Sequence, residues 1–477
     1  MSDSVLEDHI DSVDAFTLTL ERDPLLRATF VAVATFDRGP DWDVLRDRVE
    51  RATRLVPRFR QKLISTPFGL TPPRWVVAPD FDLSLHLRRL RVHEGGSLTD
   101  VVEMARVAGL TAFDHDRPLW EFTLVEGLAG GGAALVMKLH HALTDGVGGI
   151  EIAAHVVDLS REPAAPGPMP AAPEPSNHGI VDLLTDTADY HLRRLSSVGS
   201  EVSRSLPVLL RHGLAHPAKA VSDAATTATA IARFVRPITR TRSPIMLERR
   251  PLRDFRHFDV PLDDLSGAAH ELGGSLNDGF LAGVAGGMRR YHQRHLAAVD
   301  HLLVTMPISV RAEDDAMGGN RITVERFELP VGTTDPAHRI RQIASVAKAI
   351  RQDPAIPYSG VIAGVMNLLP VDVTAGMFKH VDMLLSNVAG FPAPVYIGGA
   401  RLMSFHVFGA TIGSAANVTL LSYEDTCHIG ISTDSGAVTD PDVFLECMVE
   451  GFDELIRAAI RPRTDPPSDP SVDPPGA

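Results

Sequence analysis

Residues 162–177 divide the chain into two parts. Their sequence, EPAAPGPMPAAPEPSN, is rich in proline and alanine, and such a stretch is typical of a stiff linker rather than of a packed core. Because one domain usually takes ~100–200 residues, the 477 residues are expected to form more than one packed unit. We predict units at residues 1–161 and 251–461, a helical, arginine-rich connecting segment at 162–250, and a disordered tail at 462–477.

Composition excludes several classes of protein. The formal net charge is −14, with 46 Lys and Arg against 60 Asp and Glu, which argues against a general nucleic-acid binder. The two cysteines, Cys427 and Cys447, are too few for a disulfide scaffold or a multi-cysteine zinc module. The chain starts with polar, acidic residues rather than a secretory signal, and no run of ~20 apolar residues is present. We therefore expect a cytoplasmic protein that is soluble or attached peripherally to a membrane.

Both flanking parts show mixed α/β patterns. Short apolar runs predict buried strands, and apolar residues at three- and four-residue spacing predict helices. The predicted strands are residues 133–139, 302–308 and 418–423, and the predicted helices include residues 45–55, 150–157, 280–291, 340–350 and 441–461. Asp440 is expected to cap the last helix, with Pro441 in its first turn.

The connecting segment combines an apolar stripe with a basic stretch. Leucine and valine recur at helical spacing between residues 192 and 209, and eight arginines lie between residues 233 and 256. Two interpretations are open. The segment forms helices that pack on the main body with solvated arginines, or it forms an interfacial surface for anionic lipid or another anionic ligand.

Residues 135–149, with the sequence LVMKLHHALTDGVGG, carry the pattern most closely tied to chemistry. A buried strand runs directly into His140 and His141, and side chains at such a strand end can face a cleft on a rigid support. Histidine, with an unperturbed pKa of ~6.5, can accept a proton near neutral pH. A carboxylate such as Asp145 can fix its tautomer or anchor the loop, and Gly146 permits close approach of a substrate.

Two other chemistries fit these residues less well. Adjacent strand residues point to opposite faces, so His140 and His141 would not readily share one metal ion, and no third ligand is near His141 and Asp145 in sequence. We therefore expect no metal site. A serine hydrolase of the α/β-hydrolase class would carry a G-x-S-x-G elbow, which the sequence lacks.

The stretch from His140 to Gly146 resembles the HHxxxDG signature of acyl-CoA-dependent acyltransferases, which include chloramphenicol acetyltransferase-like enzymes and peptide-synthetase condensation domains. Further short motifs follow in a fixed order. They are DRPLWE at 116–121, ND at 277–278, PISVR at 307–311, GNR at 319–321, LP at 329–330, SNVAG at 386–390, LSY at 421–423 and DPD at 440–442. From about residue 14 to 459, this ordered set resembles the bacterial wax ester synthase/acyl-CoA:diacylglycerol acyltransferase family.

The resemblance implies two chloramphenicol-acetyltransferase-like α/β domains with an active-site tunnel at their interface. It implies that His141 is the general base that removes the proton from an alcohol hydroxyl, whose oxygen attacks the acyl-CoA thioester without an acyl-enzyme. Asp145 is then structural and orients the loop, while His140 and Gly146 belong to the same catalytic motif.

The resemblance also places polar side chains along the substrate tunnel. The candidate substrate-binding residues are Asn277, Asp278, Ser309, Arg311, Asn320, Ser386 and Asn387. Two alternatives are open, because Asn277 could cap its helix and Arg311 could form a structural ion pair. Trp120 is expected to serve packing rather than chemistry.

The leading interpretation is an O-acyltransferase that uses acyl-CoA as co-substrate and needs no bound cofactor. Diacylglycerol as acceptor gives triacylglycerol, and a long-chain alcohol gives wax ester. Such lipids imply peripheral attachment to the inner membrane or to lipid droplets. The alternatives are a same-fold enzyme that acylates another alcohol or an amine, and a non-catalytic protein that binds acyl-CoA or lipid.

Overall fold

The computed structural model describes most of the two flanking parts. The described residues are 9–10, 12–65, 71–144, 146–162, 166–175, 185, 187, 190, 238–309, 322–351 and 378–460. They form two six-stranded sheets and one two-stranded sheet, with helices packed against them. This arrangement confirms the predicted mixed α/β class.

The first large sheet contains strands from both sides of residues 162–177. In spatial order its strands are β11 (Tyr396–Ile397), β12 (Ala400–Phe408), β1 (Thr29–Phe36), β6 (Ala133–His140), β5 (Trp120–Leu128) and β4 (Leu87–Gly96). Strand β1 pairs antiparallel with both β12 and β6, whereas β4 and β5 run parallel. Residues 396–408, from the C-terminal part of the chain, therefore supply two strands of a sheet whose other four strands come from the N-terminal part.

The second large sheet is built around three parallel strands. In spatial order its strands are β7 (Arg253–Pro261), β14 (Thr426–Asp434), β13 (Ala416–Tyr423), β10 (Met383–Ala389), β8 (His301–Ser309) and β9 (Ile322–Pro330). Strand β10 pairs parallel with β13 and with β8, and the remaining pairs are antiparallel. The small sheet pairs β2 (Gln61–Ile64) with β3 (Arg74–Val77).

The five predicted helices are present with shifted ends, and the described residues form three more that were not predicted. In chain order the described α-helices are α1 (Ser12–Leu20), α2 (Trp42–Leu55), α3 (Leu98–Leu110), α4 (Gly146–Ala153), α5 (Leu262–Glu271), α6 (Leu276–Arg294), α7 (Pro336–Arg351) and α8 (Pro441–Ile460). Helix α4 ends at Ala153, so Val157 lies outside the helix predicted there. The Asp440 carbonyl accepts the first helical bond of α8, from Phe444 N at 3.1 Å, while the Asp440 carboxylate accepts from the Tyr291 hydroxyl at 2.7 Å.

Helices α6 and α8 pack together at the core of the second sheet. A Cβ on Gly451 of α8 would collide with the backbone of α6 at Gly283 and Gly287, so glycine permits this close approach. Helix α8 buries Phe444, Met448, Phe452 and Leu455, which lie at helical spacing, and the Phe452 ring packs against Phe280. Burial of such side chains is a major source of stability, at about 25 cal/mol per Å² of apolar surface.

Helix α3 joins the cores of the two large sheets. It packs on β1 and β6 of the first sheet and on β7 of the second. Phe255 of β7 stacks on Phe408 of β12 with ring centroids 4.6 Å apart and planes 4° from parallel. The apolar core is therefore continuous from one sheet to the other.

Two arginines of the basic stretch at 233–256 point into the protein. Arg249 donates to the carbonyls of Gly413 and Val381 at 2.7 and 3.1 Å. Arg253 is buried and donates to the Arg27 carbonyl at 3.3 Å. These two side chains are therefore not available to an anionic surface, and the apolar stripe at 192–209 lies outside the described residues.

Candidate active site

His140 is a buried residue at the end of β6. Its ring is fully buried, and Nδ1 accepts a hydrogen bond from the Ala142 N–H at 3.0 Å. Because Nδ1 is an acceptor, the proton of the neutral ring is on Nε2, which lies 2.8 Å from Oε1 of Glu21. Nδ1 is held by the backbone and Nε2 faces a carboxylate inside the protein, so the burial of this ring favours a structural role.

Glu21 lies between α1 and β1, and the sequence analysis missed it. Its carboxylate faces His140 and also accepts from the Ala28 N–H at 3.2 Å. Burial by itself would raise the pKa of Glu21, but its contacts with His140 and with Ala28 outweigh burial and hold the pKa below its ordinary value. No spacing motif marks Glu21, because the fold alone brings it to the histidines.

His141 is held by its backbone and has a partly exposed side chain. Its N–H donates to the Ala28 carbonyl at 3.1 Å, and its ring centroid lies 5.2 Å from that of Phe30 on β1. Ala28 therefore connects Glu21, through its N–H, with His141, through its carbonyl. The hydrogen bond to Ala28 thus fixes the backbone of His141 just after the end of β6, and the side chain is partly exposed.

Aromatic and cationic side chains surround the first histidine. The buried Phe113 ring lies 6.2 Å from the His140 ring, and the Lys138 ammonium lies 4.1 Å from the centroid of the same phenyl ring. Burial lowers the pKa of Lys138, although Glu121 partly offsets this effect. Trp120 is fully buried and donates from Nε1 to the Phe59 carbonyl at 2.9 Å, which confirms its predicted packing role.

Ser275, rather than Asn277, caps helix α6. The Ser275 N–H and hydroxyl donate to Oδ2 of Asp278 at 2.8 and 2.7 Å, and the Asp278 N–H donates back to the hydroxyl at 3.3 Å. This reciprocal arrangement is a capping box. The alternative in which Asn277 caps the helix is therefore wrong. The assignment of Asp278 to substrate binding stays a prediction.

The fold joins Asn277 to a second predicted site residue. Asn387 on β10 donates from Nδ2 to Oδ1 of Asn277 at 3.2 Å, and Ser386 precedes Asn387 on the same strand. Helix α4, which begins at Gly146 directly after the histidine motif, packs against β10. Motifs from both parts of the chain therefore meet at one junction.

The remaining candidates have no described side-chain geometry. Ser309 is the last residue of β8. Asp145, Arg311 and Asn320 lie outside the described residues. Their assignments stay predictions.

Comparison with protein families gives a match over most of the chain. The model of the wax ester synthase/diacylglycerol acyltransferase catalytic domain matches residues 10–280, and the model of the C-terminal domain of the same family matches residues 318–456. A predicted diacylglycerol O-acyltransferase of Mycobacterium tuberculosis is 35% identical over 466 residues, which cover 96% of this chain and 93% of the relative. Another from the same organism is 30% identical over 484 residues, which cover 94% of this chain and 97% of the relative.

Solved structures share the fold. The wax ester synthase/diacylglycerol acyltransferase from Marinobacter aquaeolei VT8 matches with a TM-score of 0.64 at 19% identity, over 95% of this chain and 100% of that chain. The starter condensation domain of rhizomide synthetase, solved with C8-CoA, matches with a TM-score of 0.61 at 12% identity, over 97% of each chain. These matches confirm the predicted fold. The two family models and the relative at 35% identity establish that the chain belongs to the wax ester synthase/diacylglycerol acyltransferase family.

Proposed function

We propose that this protein transfers a long-chain acyl group from acyl-CoA to the hydroxyl of diacylglycerol or of a long-chain alcohol. Family membership supports acyl transfer, and the names of the relatives support diacylglycerol as an acceptor. The observation that carries the proposal is the contrast between the two histidines. His140 is fully buried and faces the Glu21 carboxylate, whereas the side chain of His141 is partly exposed.

In the proposed reaction, His141 acts as the general base. Its imidazole takes the proton from the acceptor hydroxyl while the oxygen attacks the thioester carbonyl of acyl-CoA. The tetrahedral intermediate then expels the CoA thiolate, which takes the proton back from the imidazolium and leaves as the free thiol. General-base catalysis supplies about 10²–10⁴-fold in rate, and alignment of the two substrates supplies much of the rest.

The Asn277–Asn387 pair is the proposed polar contact for the substrates. Side-chain amides donate hydrogen bonds to carbonyl, hydroxyl and phosphate oxygens without adding charge. The pair joins α6 to β10 beside α4, so it can hold an acceptor or the acyl carbonyl near the histidine motif. Preorganised donors of this kind stabilise developing negative charge on oxygen.

Release of CoA from palmitoyl-CoA tests the proposal directly. Purified protein is assayed with dioleoylglycerol, hexadecanol and a long-chain amine, each alone. We expect acceptor-dependent release that falls about 10²–10⁴-fold in His141→Ala, while the control His301→Ala, at an exposed position on β8, keeps its rate. If protein that binds palmitoyl-CoA releases no CoA with any acceptor, a binding function replaces the proposed enzyme.

Peripheral attachment to the inner membrane or to lipid droplets is part of the same proposal, because both acceptors are lipids. None of the helices in the described ranges is long and apolar enough to cross a bilayer. Flotation with liposomes tests attachment, with a variant that lacks residues 192–209 beside the full chain. We expect the full chain to float and the deletion variant to remain at the bottom, and equal flotation of the two would remove this segment from the proposal.

A further inference from the structure

A cluster of three histidines and one aspartate lies where the two large sheets meet. Asp259 and His257 are two residues apart on β7 and therefore share a face, and their direct cross-strand partners on β14 are His428 and Gly430. The fourth member, His406, comes from β12 of the first sheet. Three strands from two sheets thus contribute to one group of side chains.

Glycine lets β12 reach this face. A Cβ on Gly430 would collide with the carbonyl oxygen of Val407, the residue that follows His406. Because residue 430 has no side chain, β12 lies directly on β14 and carries the His406 ring into the gap. The convergence is therefore built into the backbone and does not depend on flexible side chains.

The donor atoms of the cluster converge on one point. Oδ1 of Asp259 lies 2.8 Å from Nε2 of His406 and 2.8 Å from Nδ1 of His428. The ligand atoms of these three residues, one from each, all lie within 4.8 Å of one another. The His257 ring borders these donors, with its centroid 4.5 Å from that of His406.

The cluster combines two buried imidazoles with one accessible carboxylate. The side chains of His406 and His428 are 2% and 3% exposed, whereas that of Asp259 is 49% exposed and opens the cluster to solvent. The imidazole nitrogens that face Asp259 are therefore held in place by the two sheets, and an ion can reach them from the side of the carboxylate.

Two imidazole nitrogens and one carboxylate oxygen are a donor set of zinc sites. Mg²⁺ and Ca²⁺ prefer ligand sets made only of oxygen atoms, whereas two of the three donors in this cluster are nitrogen atoms. We propose that Asp259, His406 and His428 bind one zinc ion, with a water molecule as the fourth ligand. Each imidazole then coordinates through the nitrogen that now faces Asp259 and keeps its proton on the other nitrogen. The ion cross-links β12 of the first sheet to β7 and β14 of the second.

This site lies outside the histidine motif and adds to the proposed function without depending on it. No metal site was predicted from the histidine motif, whose possible ligands are neighbours in sequence, whereas the members of this cluster are far apart along the chain. Residues Asp259 and His406 are 147 positions apart, and Asp259 and His428 are 169 apart. No zinc spacing motif describes such a set, and only the crossing of β12 over β14 assembles it.

Metal titration tests the site. The full chain is purified without a histidine tag and dialysed against a chelator before the titration. We expect one equivalent of Zn²⁺ by calorimetry, visible d–d absorption with Co²⁺, and no heat with Mg²⁺. Asp259→Asn keeps an oxygen acceptor at the same position but loses the charge, and we expect it to weaken Zn²⁺ binding by at least about 10-fold. His428→Gln should do the same.

Matched variants separate this site from adventitious binding and from misfolding. Asp254→Asn, on the same strand, and His141→Ala should retain the full equivalent of Zn²⁺. Zn²⁺ should raise the Tm of the unsubstituted chain and of Asp254→Asn but not that of Asp259→Asn, whose circular dichroism should remain native. Absence of a stoichiometric site in the chelator-treated protein, or unchanged affinity in both Asp259→Asn and His428→Gln, would overturn the proposal.

Discussion

Glu21 touches His140 directly and reaches His141 through one residue, Ala28. Substituting Glu21→Ala leaves the Ala28 N–H without its acceptor and removes the carboxylate beside His140 Nε2, and an unpaired buried group costs about 1–3 kcal/mol. We expect the free energy of unfolding to fall by that order and kcat to fall more than KM changes, because the position of His141 is altered rather than substrate affinity. Urea unfolding and steady-state CoA release measure the two effects.

Two further variants test whether the effect is specific to the Glu21 carboxylate. One is a conservative substitution of Glu21, and the other removes an exposed carboxylate elsewhere. Glu21→Gln restores an oxygen acceptor and should recover part of kcat. Glu103→Ala removes a 58%-exposed carboxylate that pairs with Arg106 on α3, and it should leave kcat unchanged. A Glu21→Ala enzyme with the kcat of the unsubstituted chain would show that Glu21 does not position His141.

The lowered pKa of Glu21 also predicts a pH dependence. An unfolded Glu carboxyl titrates near ~4.3, and the folded pKa of Glu21 lies lower because His140 and Ala28 outweigh burial. The ionised group therefore stabilises the fold above the unfolded pKa, and this contribution is lost as pH falls through the folded pKa. Unfolding of the unsubstituted chain and of Glu21→Gln across pH should show a stability difference that is full near neutrality and shrinks in acid.

At the level of elements, two helices begin with the same kind of N-terminal cap, but only one of them carries a candidate site residue in its first turn. Helix α6 starts with Ser275 and Asp278, and α3 starts with Ser97 and Asp100, each as a capping box. Replacing either serine by alanine should cost about 1 kcal/mol of stability. Ser275→Ala should also lower kcat/KM, because the cap fixes the turn that carries Asn277, whereas Ser97→Ala should not. Equal kcat/KM in both variants would argue against a role for the Asn277–Asn387 pair.

The sequence could predict elements whose signal is local. The apolar run before His140 indicates β6, and the periodic residues after Pro441 indicate α8, since both patterns lie within one element. The Ser275 cap was missed although Ser275 and Asp278 have the S-x-x-D spacing of a capping box, so a local signal for it was present. Asp440 differs, because its carboxylate is used by Tyr291 from a distant helix, which no local pattern indicates.

At the scale of the whole molecule, the contact between the sheets depends on one missing side chain. Gly430→Ala pushes a methyl group against Val407 of β12, and such overpacking typically costs 1–3 kcal/mol. Gly267→Ala is the matched control, because open space surrounds that position in α5, and alanine there should stabilise the helix by up to about 1 kcal/mol. Urea unfolding should therefore move the two variants in opposite directions.

The arrangement of the sheets was beyond reach of the sequence for a physical reason. A strand pattern specifies which residues are buried, but it does not specify which partner supplies the neighbouring strand. Residues 400–408 belong to the second part of the chain in sequence, yet they pair with β1, with Val31 opposite Phe408. The contact of Glu21 with His140 is equally long in range, so the motif could be found from the sequence and its anchoring residue could not.

The late position of β12 has a consequence for how the protein is made. Ribosomes add about 5–20 residues per second, so β1, which ends at Phe36, waits roughly 20–70 s before its neighbour beginning at Ala400 has been translated. During that time one hydrogen-bonding edge of β1 is open, and open edges recruit other chains. A fragment that contains only the first part of the chain leaves this edge of β1 unpaired permanently. We therefore expect the fragment to aggregate unless the second part of the chain is translated in the same cell.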